Sequence, residues 1–231
     1  NYISPQNDTM PIDFYVYPNH YDMTYNNYLK TKEMITIFSE KFGEYPFINE
    51  KYGHVEFNRA GGMEHQTINA YGNGYKKTKL GYDFILFHEM GHEWWGNYLS
   101  VPDWADFWIH EGFDTYAEAL FVEEKYGWVE AVRFVNERYK KNIKNEYPVV
   151  MGSNGTSKHP SGNDVYYKGA HILHTLRYLI GDEIFKETLK EYVQMPKEIG
   201  ENQTTTKEFI SLVNENTCLL YTSPSPRDWL Q

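Results

Sequence analysis

The stretch HEMGHEWWGN, His88 to Asn97, sets two histidines four residues apart inside a longer proline-free run, LGYDFILFHEMGHEWWGNYL. Apolar residues fall on several faces of that run, which predicts a mostly buried helix from about Asp83 to Tyr98. On a helix of ~3.6 residues per turn His88 and His92 stand one above the other, close enough to share a cation, and Glu89 lies beside that face. Two histidines leave a catalytic tetrahedral site one ligand short, because such a centre takes three protein ligands and keeps a position open. Glu111, in WIHEGF, follows His92 with 18 residues between, enough for one helix to end, turn and present a carboxylate from the next. Two neutral imidazoles and a carboxylate suit zinc (Zn2+) better than calcium or magnesium, which prefer oxygen shells. One ion per chain is expected. It would bring the pKa of a coordinated water to roughly 7, with Glu89, which is not a ligand, as the candidate general base.

Around this segment the chain alternates readable elements with Gly-rich turns. PIDFYVYPNHYD reads as a strand through Phe14 and Val16 that ends in a turn at Pro18. From about Thr24 to Phe42, residues Tyr28, Met34, Ile35, Phe38 and Phe42 recur at helical spacing, and Gly43 closes the segment. YGHVEFNRAGGMEHQTINAYGNGY mixes short β-type runs with glycines and predicts strands and loops before the zinc-binding helix. Asp103 is expected to cap a helix running through Trp104, Trp108, Phe113 and Leu120 to Tyr126, with Asp106 reaching back as a capping-box partner and Gly127 ending it. A further helix is expected over Trp128 to Lys144, then a loop through MGSNGTSKHPSGND. Helical periodicity resumes in VYYKGAHILHTLRYLIG and again in TTTKEFISLVNENT. No internal repeat is apparent.

The whole chain has 231 residues, long enough for a substantial core, and is 41% hydrophobic and 17% aromatic, with 21 Tyr, 13 Phe and 6 Trp. A disordered or low-complexity protein is thereby excluded. A formal charge of -10, with no dense Lys/Arg cluster, argues against nucleic acid and an anionic membrane surface as partners and suits amine-bearing ligands. A single cysteine gives no disulfide framework, and no apolar run reaches the roughly 20 residues of a membrane span. Asn1 begins no signal peptide, so an internal fragment is expected and the compartment stays open. The segment CLLYTSPSPRD, Cys218 to Asp228, breaks the composition and matches a transposase sequencing adapter translated in frame, so residues 218–231 are set aside as a non-native tail.

These motifs resemble the membrane alanyl aminopeptidase and leukotriene hydrolase family of zinc gluzincins, and the resemblance covers most of the chain. The family pattern H-E-x-x-H-x-W-F-G-N followed by a distant glutamate is met by HEMGHEWWGN and Glu111, with Trp95 in place of Phe. Its G-x-M-E-N motif falls on Gly61, Gly62, Met63 and Glu64, with His65 replacing the usual Asn, and its Y-x-K-G motif falls on Tyr166 to Gly169. The resemblance implies an α+β, thermolysin-like zinc metallopeptidase catalytic domain, mostly helical, with a small β-sheet before the zinc-binding helix. It implies metal ligands His88, His92 and Glu111, catalytic Glu89 and Tyr166, and a substrate-binding segment Gly61, Gly62, Met63 and Glu64. Glu64 would pair with the α-ammonium of a peptide bearing a free N-terminus, Tyr166 would stabilise the oxyanion, and the two glycines would let a substrate backbone approach as an added edge strand.

The expected organisation is the end of a truncated β-domain over 1–18, the catalytic domain over 19–217, and the tail. Loss of the flanking domains would remove groups that complete the substrate pocket. The expected activity is zinc-dependent release of N-terminal residues. A thermolysin-like endopeptidase is the nearest rival, with GGMEH against it, and a non-catalytic scaffold the next, although no ligand position is lost. An epoxide-lipid hydrolase has nothing in the chain to single it out. Asp114 and Thr115, one turn beyond Glu111, read equally as residues that orient a metal ligand or as plain helix-surface positions. His110 is only a neighbour of Glu111, His171 and His174 read as solvent or core positions, and Trp94, Trp95, Trp104 and Trp108 read as core rather than as a platform for substrate.

Overall fold

The computed structural model describes residues 1–152, 162–197 and 200–217, with the side chains of Asn26 and Asn27 excepted. The tail 218–231 and most of the expected Gly/Ser/Asn-rich loop lie outside the described residues. Strands β1 (Tyr2–Ile3) and β2 (Thr9–Met10) form a small antiparallel pair. Strands β3 (Ile12–Tyr15), β4 (Tyr52–Glu56), β5 (Gly61–Met63) and β6 (Asn69–Gly72) build a four-stranded sheet in the order β3-β4-β6-β5. The β3-β4 and β4-β6 pairs are parallel, and β5 lies antiparallel to β6 at one edge, with Gly62 opposite Tyr71 and Met63 opposite Ala70. Strand β3, within the segment 1–18, is thus hydrogen-bonded into the same sheet as β4.

Helix α1 (Tyr21–Phe42) connects β3 to β4, as a parallel crossover requires. Met34, Ile35, Phe38 and Phe42 turn its apolar stripe into the core, and Gly43 at φ +102° ends it. Helix α2 (Phe84–Gly91) begins where the Asp83 side chain accepts the amides of Ile85 (3.1 Å) and Leu86 (3.5 Å). It stops well short of the expected Tyr98. Beyond His92 the amides of Asn97, Tyr98 and Leu99 bond five residues back, to His92, Glu93 and Trp94, and Gly96 takes φ +130°. The turn still buries Trp94, Trp95 and Leu99, so the apolar pattern outlasts the helix.

Helix α3 (Trp108–Tyr126) starts later than expected, after a separate 3-10 turn over Trp104–Asp106. Asp103 caps that turn through Ala105 N–H at 2.9 Å, and Asp106 accepts from Thr206 Oγ1 at 2.5 Å rather than closing a capping box. Helix α4 (Trp128–Phe134) runs on through a π-helical turn, Val135–Tyr139, and a 3-10 turn ending at Asn142. Helices α5 (Asp164–Ile180), α6 (Asp182–Gln194) and α7 (Thr206–Thr217) complete the chain. The α+β, mostly helical architecture with a small sheet before α2 is the expected one.

The core is aromatic. Trp94 packs edge-on against Phe38 and Tyr45, and Trp95 lies between Phe42 (5.1 Å between ring centroids) and Phe113 (4.8 Å). Trp108 is buried too, whereas Trp104 is 42% exposed. Helices α3 and α5 cross at two glycines: a Cβ on Gly112 would lie 3.1 Å from Gly169 Cα, and one on Gly169 only 3.0 Å from Gly112 Cα. Any larger residue at either position would force the helices apart.

Candidate metal centre

Helix α2 presents His88 and His92 one turn apart, and α3 brings Glu111 against both. His88 Nε2 and His92 Nε2 each lie 3.4 Å from Glu111 Oε2. One ligand atom from each of the three residues falls within 4.8 Å of the others, and all three side chains are buried. Glu111 Oε2 has no hydrogen-bond partner among the described residues. A buried carboxylate oxygen left without a donor, facing two imidazole nitrogens, is the donor set that a zinc ion satisfies.

The second nitrogens of both rings are also held. His92 Nδ1 meets the Trp95 carbonyl oxygen at 2.8 Å. His88 Nδ1 lies 2.7 Å from Asp114 Oδ2 and 3.3 Å from Glu118 Oε1, both buried carboxylates on α3. Glu118 has its own cation in Arg138, 3.5 Å away, whose guanidinium stacks 3.6 Å over the Phe84 ring. The hydrogen bond from His88 Nδ1 goes to Glu118, and the Asp114 carboxylate, which also lies 3.8 Å from His92 Nε2, sits close beside it, so the two acids together favour the tautomer with its proton on Nδ1.

Charge in the cluster follows from this packing. Burial disfavours a charged His92 ring, but the Asp114 and Glu111 carboxylates outweigh it and raise the ring to about 10. Burial pushes the Glu111 carboxyl upward, yet His92 and His88 hold it well below the usual carboxylate range. Glu89 goes the other way. Burial raises it to about 7 against the pull of His88 and His92.

Glu89 is backed by strand β5, since a Cβ on Gly62 would collide with its carboxylate. Gly62 and Met63 thus bring Glu64 to the same place, and carboxylate oxygens of Glu64 and Glu89 lie within 4.8 Å of each other and of a His92 nitrogen. Gly61 takes φ +102°, a conformation that glycine adopts freely, and Met63 is 48% exposed. From the opposite side α5 supplies Tyr166, whose hydroxyl donates to Glu111 Oε1 at 3.1 Å. The contact between Gly112, next to Glu111, and Gly169, one turn after Tyr166, makes that reach possible. A cleft of about 320 Å³ opens here, lined by Phe84, His88, Glu89, Tyr166 and Tyr167 among others.

Of the nine residues marked in the sequence as site candidates, His88, His92, Glu111, Glu89, Glu64, Gly62 and Tyr166 come together in one cluster, whereas Gly61 and Met63 share strand β5 with Gly62 and make no contact with the cluster that the structure describes. His110, His171 and His174 do not join it. His110 is buried against the rings of Trp104 and Phe107, and His174 stacks on Trp128 at 5.7 Å. Sequence reasoning passed over Glu118 and Arg138. Glu118 sits two turns after Glu111, on the same helix face, and that spacing was the available signal. It also passed over Gly91, where a Cβ would run into Asp114 Oδ1. Gly91→Ala is accordingly expected to dislodge Asp114 from His88 and weaken zinc binding by roughly 10- to 100-fold, as outer carboxylates do elsewhere. Competition with a chelator of known affinity measures it, and unchanged affinity would remove Asp114 from the role.

The fold and the cluster together are those of an α+β domain with a candidate metal centre between two helices. The chain belongs to peptidase family M1, whose Peptidase family M1 domain matches residues 26–220. It is 26% identical over 190 residues to aminopeptidase Ey of Gallus gallus, covering 71% of this chain and 19% of that protein. The M1 zinc metallopeptidase of Deinococcus radiodurans is 26% identical in sequence, with a TM-score of 0.66 over 81% of this chain and 40% of that one. Leukotriene A4 hydrolase of Saccharomyces cerevisiae, 18% identical, shares the fold at a TM-score of 0.75, over 96% of this chain and 37% of that one. The chain spans about a fifth, or less, of the length of the curated relatives it matches. No helix among the described residues is long and apolar enough to cross a membrane.

Proposed function

We propose that the protein is a zinc-dependent aminopeptidase that hydrolyses the first peptide bond of peptides with a free N-terminus, using one zinc ion per chain held by His88, His92 and Glu111. The observation that carries this reading is Glu64, a carboxylate held on the edge-strand side of the cluster within 4.8 Å of Glu89 and His92 atoms. Zinc and a general base describe many peptidases, whereas a carboxylate beside them describes one that grips an α-ammonium. The first residue of a substrate would fill the space between Glu64 and the metal ligands, so cleavage falls after that residue.

A zinc ion at this site supplies Lewis-acid polarisation of the scissile carbonyl and an acidified water. Glu89, raised to about 7 by burial, is poised to accept a proton from the attacking water and to pass it to the departing amine. The Tyr166 hydroxyl, which donates to Glu111 in the resting site, is within reach of the oxyanion that develops on the substrate. Backbone groups on the outer edge of β5, flanked by Gly61 and Gly62, can pair with an extended substrate.

Elemental analysis tests the metal, with one zinc per chain expected. The purified protein should release single residues from unblocked peptides and leave N-acetylated ones intact. Glu64→Ala should erase roughly 1.5–3 kcal/mol of that preference, about 10- to 150-fold, the value of a hydrogen bond to a charged group. Efficient internal cleavage of blocked peptides by the unaltered protein would instead establish an endopeptidase.

A further inference from the structure

The turn that carries Glu64 contains a strained residue. Thr67 sits at φ +64°, in the left-handed region that β-branched side chains rarely enter. Local bonds alone do not explain why it stays there: the turn closes with His65 N–H on Met63 O and Ile68 N–H on His65 O, both at 3.0 Å, and leaves the Thr67 amide pointing inward. That amide donates to Glu93 Oε1 at 2.9 Å. Thr67 is buried and Glu93 is completely so. Glu93 directly follows the metal ligand His92, in the tight turn that ends α2.

A second tie lies two residues on. Asn69 Nδ2 donates to the Glu89 carbonyl oxygen at 2.8 Å and to Tyr52 Oη at 3.3 Å. The β5-β6 hairpin is therefore fastened to the metal-binding segment at Glu89 and again at Glu93, with Glu64 on the loop between its strands. Leaving a buried backbone N–H without an acceptor costs about 1–3 kcal/mol, comparable to the cost of the left-handed conformation, so a buried side-chain oxygen placed to receive it can hold the turn.

We infer that Glu93 is a positioning residue for substrate recognition: by holding the Thr67 amide it keeps the turn in its left-handed form and so sets the distance from Glu64 to the metal ligands. The inference rests on the aminopeptidase reading and adds to it the residue that sets the register of the amine anchor. Glu93 touches neither substrate nor metal in this role.

The test is a cycle of Glu93→Ala, Thr67→Gly and the double variant, with Glu93→Gln as the conservative replacement. Zinc content, kcat and KM are measured on a free-amine peptide, and rates on its N-acetylated form. Glu93→Ala should raise KM about tenfold while kcat changes by less than about threefold and zinc is retained, the pattern of weakened binding rather than lost chemistry. Glu93→Gln keeps an acceptor oxygen and should recover most of the loss. Thr67→Gly in the Glu93→Ala background should also restore KM, because glycine holds a positive φ without help. A purely structural role for Glu93 would not be rescued at Thr67, so a double variant as impaired as Glu93→Ala overturns the proposal.

Hydrogen exchange at the Thr67 amide gives a readout that needs no folded variant. Exchange as fast as that of an open turn in the unaltered protein also overturns it. Failure of the aminopeptidase reading would look different, since the unaltered protein would then fail to discriminate between free and blocked peptides.

Discussion

Glu89→Gln should lower turnover by about 10²–10⁴-fold while zinc stays bound at its full level. The side chain is isosteric and remains compatible with the close approach of Gly62, so the substitution removes a proton acceptor and little else. Glu89 contributes no atom to the group formed by His88, His92 and Glu111, which is why metal content should not follow activity. KM should stay near its original value, because a general base acts on the transition state rather than on bound substrate. Turnover within tenfold of the original would transfer the role to another group, and loss of zinc would mean that Glu89 supports the ligand set itself.

Tyr166→Phe should reduce kcat by roughly 10²–10³-fold with a much smaller change in KM, as loss of an oxyanion donor does. Burial and the nearby Glu111 carboxylate raise the pKa of this phenol well above its ordinary value, so it remains a protonated donor across the working pH range. Its proton points at Glu111 Oε1 in the resting site and is available to an oxygen that becomes more negative than that carboxylate's outer atom. Steady-state kinetics on a free-amine peptide measures the effect. Near-normal turnover would move the role to Tyr167, which lines the same cleft.

The order of elements and most of the cluster could be read from the sequence because both rest on short-range rules. The i, i+4 spacing of His88 and His92 on a helix follows from geometry alone, and Gly43, Gly127 and Pro18 punctuate the chain where their backbones demand it. Helix α2 was harder. Its apolar pattern continues through Trp94, Trp95 and Leu99 because these residues stay buried in the tight turn, and periodicity does not distinguish a buried turn from a buried helix. Asp106 likewise has the right spacing for a capping box, but a distant hydroxyl, Thr206, takes it. The shell around the candidate metal ligands is the least legible part. Arg138 reaches Glu118 from a π-helical turn, and Glu93 reaches Thr67 across a hairpin, so each pairing depends on how elements dock rather than on local spacing.

The glycines at the crossing of α3 and α5 make two motifs that look independent in the chain into a single gauge. One follows the carboxylate ligand, the other closes the Tyr-x-Lys-Gly sequence, and their backbones touch. Adding a methyl group to either would widen the gap between phenol and metal ligand without altering any residue that performs chemistry. Enzymes redesigned on this scaffold could therefore be tuned at a place remote from substrate, by adjusting how closely two helices lie. The same contact ties the Tyr166 phenol and the Glu111 carboxylate to one helix crossing, so a larger residue at either glycine is expected to shift both halves of the site relative to each other.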